Sequence, residues 1–526
     1  MFHQCRAACV VPLLLCLQEM SVVAARKPNF IIMIMDDMGW GDLGVLGHPA
    51  KETPNIDRMA AEGMLFTDFY TASPLCSPSR AALLTGRLPI RNGFYTTNNH
   101  SRNAYTPQEI VGGIQDEEVL IPELLAIAGY RNAIIGKWHL GHREQYLPLN
   151  HGFHEWFGSP NCHFGPYDNV ERPNVAFFRD SCMIGRYFED FEIDLETRTS
   201  NLTLQFTQEA VEFIDRQHDR PFFLYWAPDS SHAPVYSSRA TRGRSIRGAY
   251  GDAVQELDQS VGAILGALRR WGIDNNTFVF WTSDNGAALV SKTEGTVLTN
   301  GPFLCGKQTT FEGGFREPAI AWWPGVIEAG QMTRQPLTVL DLLPTIAELA
   351  QVTLPPGLVL DGNSFVPELL KSPHYHDEEE ISDRSVFYYR GNELMALRKG
   401  LYKAHFWCWT NSWEQYRTGI DFCPGFQVPG VTTHVQSNYT SEPILFHLGR
   451  DPGEKFPIRA GTKEYNDSIA PILRAYHEHK STMVPGKPQL NWCDDSVMHW
   501  APPCCGRLQR CLQVPPSRPY LCDWPH

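Results

Sequence analysis

The chain has 526 residues, 43% hydrophobic and 20% charged, so it can bury a large core and lacks the composition of a disordered or fibrous protein. Its formal net charge of −13, from 58 acidic and 45 basic side chains, argues against a general nucleic-acid binder. An anionic substrate would need a local cluster of Lys, Arg and His to attract it, and a chain this long is expected to form a main domain with a smaller appended one.

Residues 1–25 read as a secretory signal peptide, with Arg6, an apolar run over 8–17, and small residues at Val23, Ala24 and Ala25. That run is well short of the roughly 20 residues needed to cross a bilayer, and no later stretch reads as a membrane span. Residues 29–35, Asn-Phe-Ile-Ile-Met-Ile-Met, form a continuous apolar run that suits a strand buried on both faces, and Asp36-Asp37 follow at once. Helical patterns at 120–128, 204–216 and 253–270 then lead into apolar strands at 132–135, 221–227 and 277–282. This alternation predicts an α/β sandwich, a large mainly parallel sheet flanked by helices, over residues 26–375.

Around 360–383 the pattern loosens into a polar connector containing Asp377-Glu378-Glu379-Glu380. Short strand-like runs at 385–389, 394–399, 401–406 and 444–448 predict a smaller C-terminal domain with an antiparallel sheet over 376–485. Residues 486–526 read as a tail pinned by disulfides, because Cys493, Cys504, Cys505, Cys511 and Cys522 crowd it. Spacing does not decide their connectivity. Of 14 cysteines, Cys5, Cys9 and Cys16 leave with the signal, and the 11 that remain are an odd number in an oxidising compartment. At least one is therefore outside any intramolecular disulfide. Sequons begin at Asn99, Asn201, Asn275, Asn438 and Asn466, each a candidate surface glycan.

Ligands of open α/β sheets bind beyond the carboxyl ends of the strands. Asp36-Asp37 follow the first strand there, and Asp284-Asn285 follow the strand at 277–282, with Gly39, Gly41 and Gly286 permitting tight turns. Four oxygen-bearing side chains without His or thiolate suit a hard cation, Ca²⁺ or Mg²⁺, rather than zinc. The same residue types are also common in turns and helix caps, and spacing alone does not choose.

The segment Cys76-Ser77-Pro78-Ser79-Arg80-Ala81-Ala82-Leu83-Leu84-Thr85-Gly86-Arg87 resembles the signature of the sulfatase family in every fixed position. The resemblance implies an alkaline-phosphatase-like sandwich, and a Cys76 oxidised to formylglycine by the formylglycine-generating enzyme in the endoplasmic reticulum. It also implies one Ca²⁺ per subunit, held by Asp36, Asp37, residue 76, Asp284 and Asn285. A sulfate ester repels nucleophiles, so its cleavage needs cations on its oxygens and a positioned oxygen nucleophile. The hydrate of formylglycine supplies that nucleophile, and the covalent sulfate it forms is expelled by deprotonating the second hydroxyl. Arg80, one helical turn on, is expected to hold that hydrate.

The segments Gly136-Lys137-Trp138-His139-Leu140-Gly141, Ser231-His232-Ala233-Pro234 and Gly306-Lys307-Gln308-Thr309-Thr310 resemble sulfatase segments that carry active-site cations. By that resemblance Lys137 and His232 bind the sulfate, Lys307 stabilises it or protonates the leaving alcohol, and His139 orients the hydrate and takes its second proton. Segments at 35–42, 90–98, 103–113, 158–169, 300–314 and 404–425 are similar to a sulfatase subgroup acting on 6-sulfated sugars. This implies an exo-acting lysosomal homodimer. Its substrates would be the 6-sulfates of N-acetylgalactosamine in chondroitin sulfate and of galactose in keratan sulfate, with Tyr105 in the substrate pocket.

The same likeness implies disulfides Cys305–Cys423, Cys493–Cys522 and Cys505–Cys511, leaving Cys162, Cys182, Cys408 and Cys504 unassigned. The sequons at Asn99, Asn275 and Asn466 depart from the subgroup, and Asn99 lies close enough to Tyr105 that it is expected to be unmodified or to point away. Three other readings compete. They are a sulfatase of other sugar or aryl specificity, a phosphate-ester hydrolase of the wider superfamily, and a non-catalytic binder of sulfated glycans. The phosphatases use a Ser or Thr nucleophile and two zinc ions with His ligands, whereas here Cys76 holds that position and no His joins the acidic set.

Overall fold

The computed structural model describes residues 27–97, 109–168, 173–289, 299–370, 381–425 and 427–491. The signal peptide, Asn99, Tyr105, the acidic run 377–380 and the five tail cysteines lie outside them.

The large sheet is built from β1 (Asn29–Met35), β2 (Met64–Tyr70), β3 (Arg131–Lys137), β4 (Glu155–Ser159), β5 (Ala176–Arg179), β6 (Cys182–Arg186), β7 (Phe222–Ala227), β8 (Thr277–Ser283), β9 (Arg316–Trp322), β10 (Gln331–Thr333) and β11 (Leu337–Thr338). Its order is β10-β2-β9-β8-β1-β7-β3-β4-β5-β6, with β11 also on β2. The five central strands from β8 to β4 run parallel, while β9 is antiparallel to both β8 and β2, and β5 and β6 close the other edge antiparallel.

The expected strand at 29–35 is β1, and its apolar continuity has a simple cause. Phe30, Ile32 and Ile34 pack into one layer of core, and Ile31, Met33 and Met35 into the other. The first layer holds the helices Cys76–Thr85 and Ile121–Ile127, and the second holds Leu202–Gln217 and Ala249–Arg270. Each such side chain contributes about 1.5–3 kcal/mol on burial, so both faces of the central strands must be apolar.

The C-terminal domain carries β12 (Ser385–Arg390), β13 (Glu393–Lys399), β14 (Tyr402–His405), a small ribbon of β15 (Trp407–Cys408) and β16 (Ser437–Asn438), and β17 (Ile444–His447). The four-stranded sheet β12-β13-β14-β17 is antiparallel throughout. The helix Lys463–Thr482 covers it, and Ile472 and Tyr476 join the same apolar cluster as Leu84 and Phe280 of the large domain. One core thus runs through both domains. No helix among the described residues is long and apolar enough to cross a membrane.

Candidate active site

Register places the acidic residues side by side. Within the parallel pair β1 and β8, Met35 faces Ser283, so Asp36 and Asp284 leave their strands together, and the Asp284 amide donates to Met35 O at 3.0 Å. Asp37 turns back with φ of 61°, and its amide donates to Asp284 Oδ1 at 3.2 Å. Non-glycine residues in that region carry strain and cluster at functional sites. Gly39, by contrast, has an ordinary φ of −80°. A Cβ there would lie 2.4 Å from Thr299 O, so close packing rather than turn geometry requires the glycine.

Cys76 is the first residue of the helix Cys76–Thr85, which the left-handed Gly86 closes at φ of 66°. Its Sγ lies 3.5 Å from Asp36 Oδ1, 3.8 Å from Asp37 Oδ1 and 3.3 Å from Lys307 Nζ. One turn on, Arg80 Nε and Nη2 both donate to Asp284 Oδ2, at 3.0 and 2.8 Å, and Nη1 donates to Lys137 O at 3.4 Å. The fork therefore locks an acidic residue from below, where the sequence reading aims it at residue 76. Lys137 ends β3 and donates to both Asp36 oxygens, at 2.9 and 2.7 Å. Lys307 does the same to Asp37, at 2.5 and 2.7 Å. His232 Nε2 stands 3.7 Å from Asp37 Oδ2 while its Nδ1 faces Ala233 O at 2.7 Å.

The sequence-expected residues Asp36, Asp37, Cys76, Arg80, Lys137, His139, His232, Asp284, Asn285 and Lys307 are thus drawn together from three strand ends, one helix start and two loops. Tyr105 is outside the described residues. Asp36, Arg80 and Lys137 are fully enclosed, whereas His232 and Lys307 each keep 8% of their surface, so the pocket opens on the side of these two.

Burial raises the Cys76 thiol well above its usual range, and hydrogen bonding with Cys162 adds to it. An unmodified thiol held there is a poor nucleophile. Burial lowers His139 to about 4, with Cys162 offsetting only part. Burial also works against a charged His232, but Cys162, Asp37 and Asp36 outweigh it and raise that ring to about 9. Four cations, Arg80, Lys137, Lys307 and His232, then face three carboxylates, Asp36, Asp37 and Asp284, in a dry site where their field is strong.

The donor set fits a hard divalent cation. Carboxylate oxygens of Asp36, Asp37 and Asp284 and the Cys76 sulfur lie within 4.8 Å of one another. Asn285 donates its Nδ2 to Asp37 Oδ1 at 2.7 Å, while its Oδ1 is buried without a hydrogen-bond partner among the described residues.

Three neighbours escaped the sequence reading. Cys162 is fully buried with Sγ 3.9 Å from His139 Nδ1 and 4.0 Å from Asp36 Oδ2. His163 pairs its Nδ1 with Asp229 Oδ2 at 2.7 Å, its Nε2 with Pro234 O at 3.0 Å, and lays its ring 5.6 Å from that of His232. Glu317 is fully buried on β9 with neither carboxyl oxygen partnered among the described residues, and burial, then Asp284 and Asp37, raise its pKa well above normal. A charged residue inside the apolar run Arg316–Trp322 is the one signal that could have flagged it.

The sequence profile of the Sulfatase family matches residues 28–352, and that of the C-terminal region of aryl-sulfatase matches 382–513. The chain is a sulfatase. As a member of that family it is a sulfuric ester hydrolase built on the fold just described. The sulfatase is 61% identical over 507 residues to the N-acetylgalactosamine-6-sulfatase of Sus scrofa, and 59% identical over 504 residues to that of Homo sapiens. Each alignment covers 96% of this chain and 95% of the relative. Among solved structures, the PsFucS1 sulfatase from Pseudoalteromonas sp. superposes with a TM-score of 0.70 at 27% identity, covering 88% of this sulfatase and 92% of that chain.

The expected disulfide Cys305–Cys423 is present. Cys76, Cys162, Cys182 and Cys408 are outside any disulfide among the described residues, and Asn201, Asn275, Asn438 and Asn466 are exposed.

Proposed function

We propose that this sulfatase is an exo-acting lysosomal enzyme, reached through the secretory pathway and working as a homodimer. Its reaction is removal of the 6-sulfate from N-acetylgalactosamine 6-sulfate in chondroitin sulfate and from galactose 6-sulfate in keratan sulfate. The observation that carries this reading is Cys76. It is a nearly sealed side chain at a helix start, between Lys307 and the Asp36 and Asp37 carboxylates, in a chain 59–61% identical to N-acetylgalactosamine-6-sulfatases.

Asp36, Asp37, Asp284, Asn285 and residue 76 would hold one Ca²⁺, whose oxygen preference matches this set and whose charge would stabilise sulfate oxygens. Formylglycine, formed from Cys76 by the formylglycine-generating enzyme, would supply an oxygen nucleophile as its hydrate.

The rest falls to the chain's own side chains. Arg80 holds Asp284 and, through Nη1, the end of β3, so it fixes two walls of the pocket at once. Lys137 and protonated His232 bind the sulfate oxygens. Lys307, 3.3 Å from the Cys76 sulfur and on the open side, steadies the sulfate and delivers a proton to the leaving alcohol. His139, neutral in mild acid with its pKa lowered to about 4 by burial, takes up the proton released at residue 76. Tyr105 completes the sugar pocket.

Peptide mass spectrometry across Cys76 and a substrate panel test this reading. An aldehyde or hydrate mass is expected, with a galactose 6-sulfate ester hydrolysed ahead of 4-sulfated N-acetylgalactosamine and a simple aryl sulfate. An unmodified thiol in active material would overturn the nucleophile, and preference for the 4-sulfate would overturn the specificity.

A further inference from the structure

Lys307 belongs to the large domain, yet much of what fixes its segment comes from the C-terminal domain. Lys403 on β14 is fully buried and donates to Thr310 O at 2.9 Å, Glu312 Oε1 at 3.0 Å and Glu454 Oε1 at 3.0 Å. Its three protons are thereby matched to three acceptors. Glu454, in the loop after β17, accepts from Glu312 N at 2.7 Å through Oε2 and from His405 Nε2 at 2.6 Å through Oε1. The Phe311 ring lies 4.9 Å from that of His405. At the other end of the segment the disulfide joins Cys305 to Cys423.

Between these anchors the backbone takes positive φ at Cys305 (59°) and Gln308 (72°), a path that persists only where its surroundings over-determine it. Lys307 N donates to Ala287 O at 3.1 Å, and Gln308 N donates to Pro74 O at 2.8 Å, two residues before Cys76. The segment is also pressed against the metal-side loop, since a Cβ on Gly286 would lie 1.8 Å from Gly313 O. The anchors at Thr310 and Glu312 and the disulfide at Cys305 thus bracket Lys307 on both sides.

We propose that Lys403, together with Glu454, is a positioning residue for Lys307: the C-terminal domain clamps the 305–312 segment so that the Lys307 ammonium stays over residue 76 and the sulfate. The inference rests on the reading of Lys307 as a sulfate-contacting cation. It makes the C-terminal sheet a working part of the active site, although none of its described residues needs to touch the ester.

A double-mutant cycle on the full-length enzyme tests it, with Lys403→Met and Lys307→Met made singly and together. Turnover of a galactose 6-sulfate ester and affinity for inorganic sulfate are both read, with conversion at residue 76 checked by mass spectrometry in each variant. Displacing a positioned group by about 1 Å is worth up to about 100-fold in rate, so Lys403→Met should lower kcat by roughly 10- to 100-fold and weaken sulfate binding in the wild-type background. In the Lys307→Met background the same change should cost less than about 2-fold in either readout, since residues acting as a unit are not additive. An equal fold-loss in both backgrounds, or a lowered melting temperature with unchanged kcat and sulfate affinity, would overturn the proposal. Full activity in Lys307→Met alone would instead sink the reading of Lys307 on which it rests. If Lys403→Met is not secreted, Glu454→Gln, which keeps side-chain size and one acceptor oxygen, is run through the same cycle with the same criteria.

Discussion

Two groups of buried charge flank the 305–312 segment, and they are built on opposite rules. On the C-terminal side, each carboxylate oxygen of Asp68, Glu312 and Glu454 meets a donor. Asp68 takes Arg316, Arg398 and Thr67, Glu312 takes Lys403, Arg316, Tyr70 and Tyr388, and Glu454 takes Lys403, His405 and the Glu312 amide. In the pocket, Asn285 Oδ1 and both oxygens of Glu317 have no such partner among the described residues, while Lys137 and Lys307 lean on the carboxylates of Asp36 and Asp37. Both groups lie in a low-dielectric interior where an unmatched polar atom is costly. The carboxylates of the first group are fully matched, which makes it a rivet between the domains even though His405 Nδ1 lacks a partner among the described residues, whereas the second leaves acceptor oxygens open.

The largest effect that sharpens this contrast is on turnover. Cys76→Ser should keep the fold but remove the thiol from which the proposed formylglycine would form, so activity should fall by about 10⁴-fold or more while the melting temperature moves by only a few degrees. Retained activity would place the reaction on another group. In the rivet a large effect on stability is expected as well. Glu312→Gln leaves Lys403 and Arg316 short of a counter-charge and should lower stability by about 3–5 kcal/mol, whether or not calcium is present. Burial alone would raise the Glu312 carboxyl, yet Lys403, Arg316 and Arg398 pull it down to about 2, which shows how strongly it is held ionised. A melting curve that does not shift would remove the distinction between the two clusters.

Calcium gives a smaller, conditional effect. At about 100 times its dissociation constant it should stabilise the wild type by about 2.7 kcal/mol, and Asp37→Asn should lose most of that gain. A melting temperature indifferent to both chelator and added calcium would leave the acidic set without its assigned ion.

A carboxyl paired with neither cation nor metal should respond least. Asp258 accepts from the amides of Asn55 and Ile56 and from Asn55 Nδ2, and burial raises it to about 6 despite these bonds. A carboxyl with a raised folded pKa contributes stability that is fully present below the ordinary 3.8 and is lost as pH rises through about 6. Asp258→Asn should therefore flatten the decline in stability between pH 4 and 6.5, by the order of 2 kcal/mol or less. An unchanged slope would show that its protonation is not linked to folding.

Much of this molecule was readable in linear form. The apolar runs of β1, β3, β7 and β8, the helices before them, the Cys76 to Arg87 segment and the Asp36-Asp37 and Asp284-Asn285 pairs each carry a local signal, because strand burial and motif spacing are short-range properties. The edges were less legible. β9 enters the sheet antiparallel between β8 and β2, and the runs of β2 and β9 carry Asp68, Arg316 and Glu317, which interrupt the apolar pattern for reasons that lie on other strands.

By itself, the sequence determined the class of chemistry. It placed a cysteine in the family signature, an all-oxygen acidic set at strand ends, and enough Lys, Arg and His to face an anion. Only the tertiary structure decided which charges meet. Arg80 turned out to grip Asp284, 204 residues away, Lys403 to hold Thr310 across 93 residues, and Cys162 to lie beside His139. The reason is physical. A motif records which groups a reaction needs, whereas matching buried donors to acceptors depends on distances set by the packing of both domains at once.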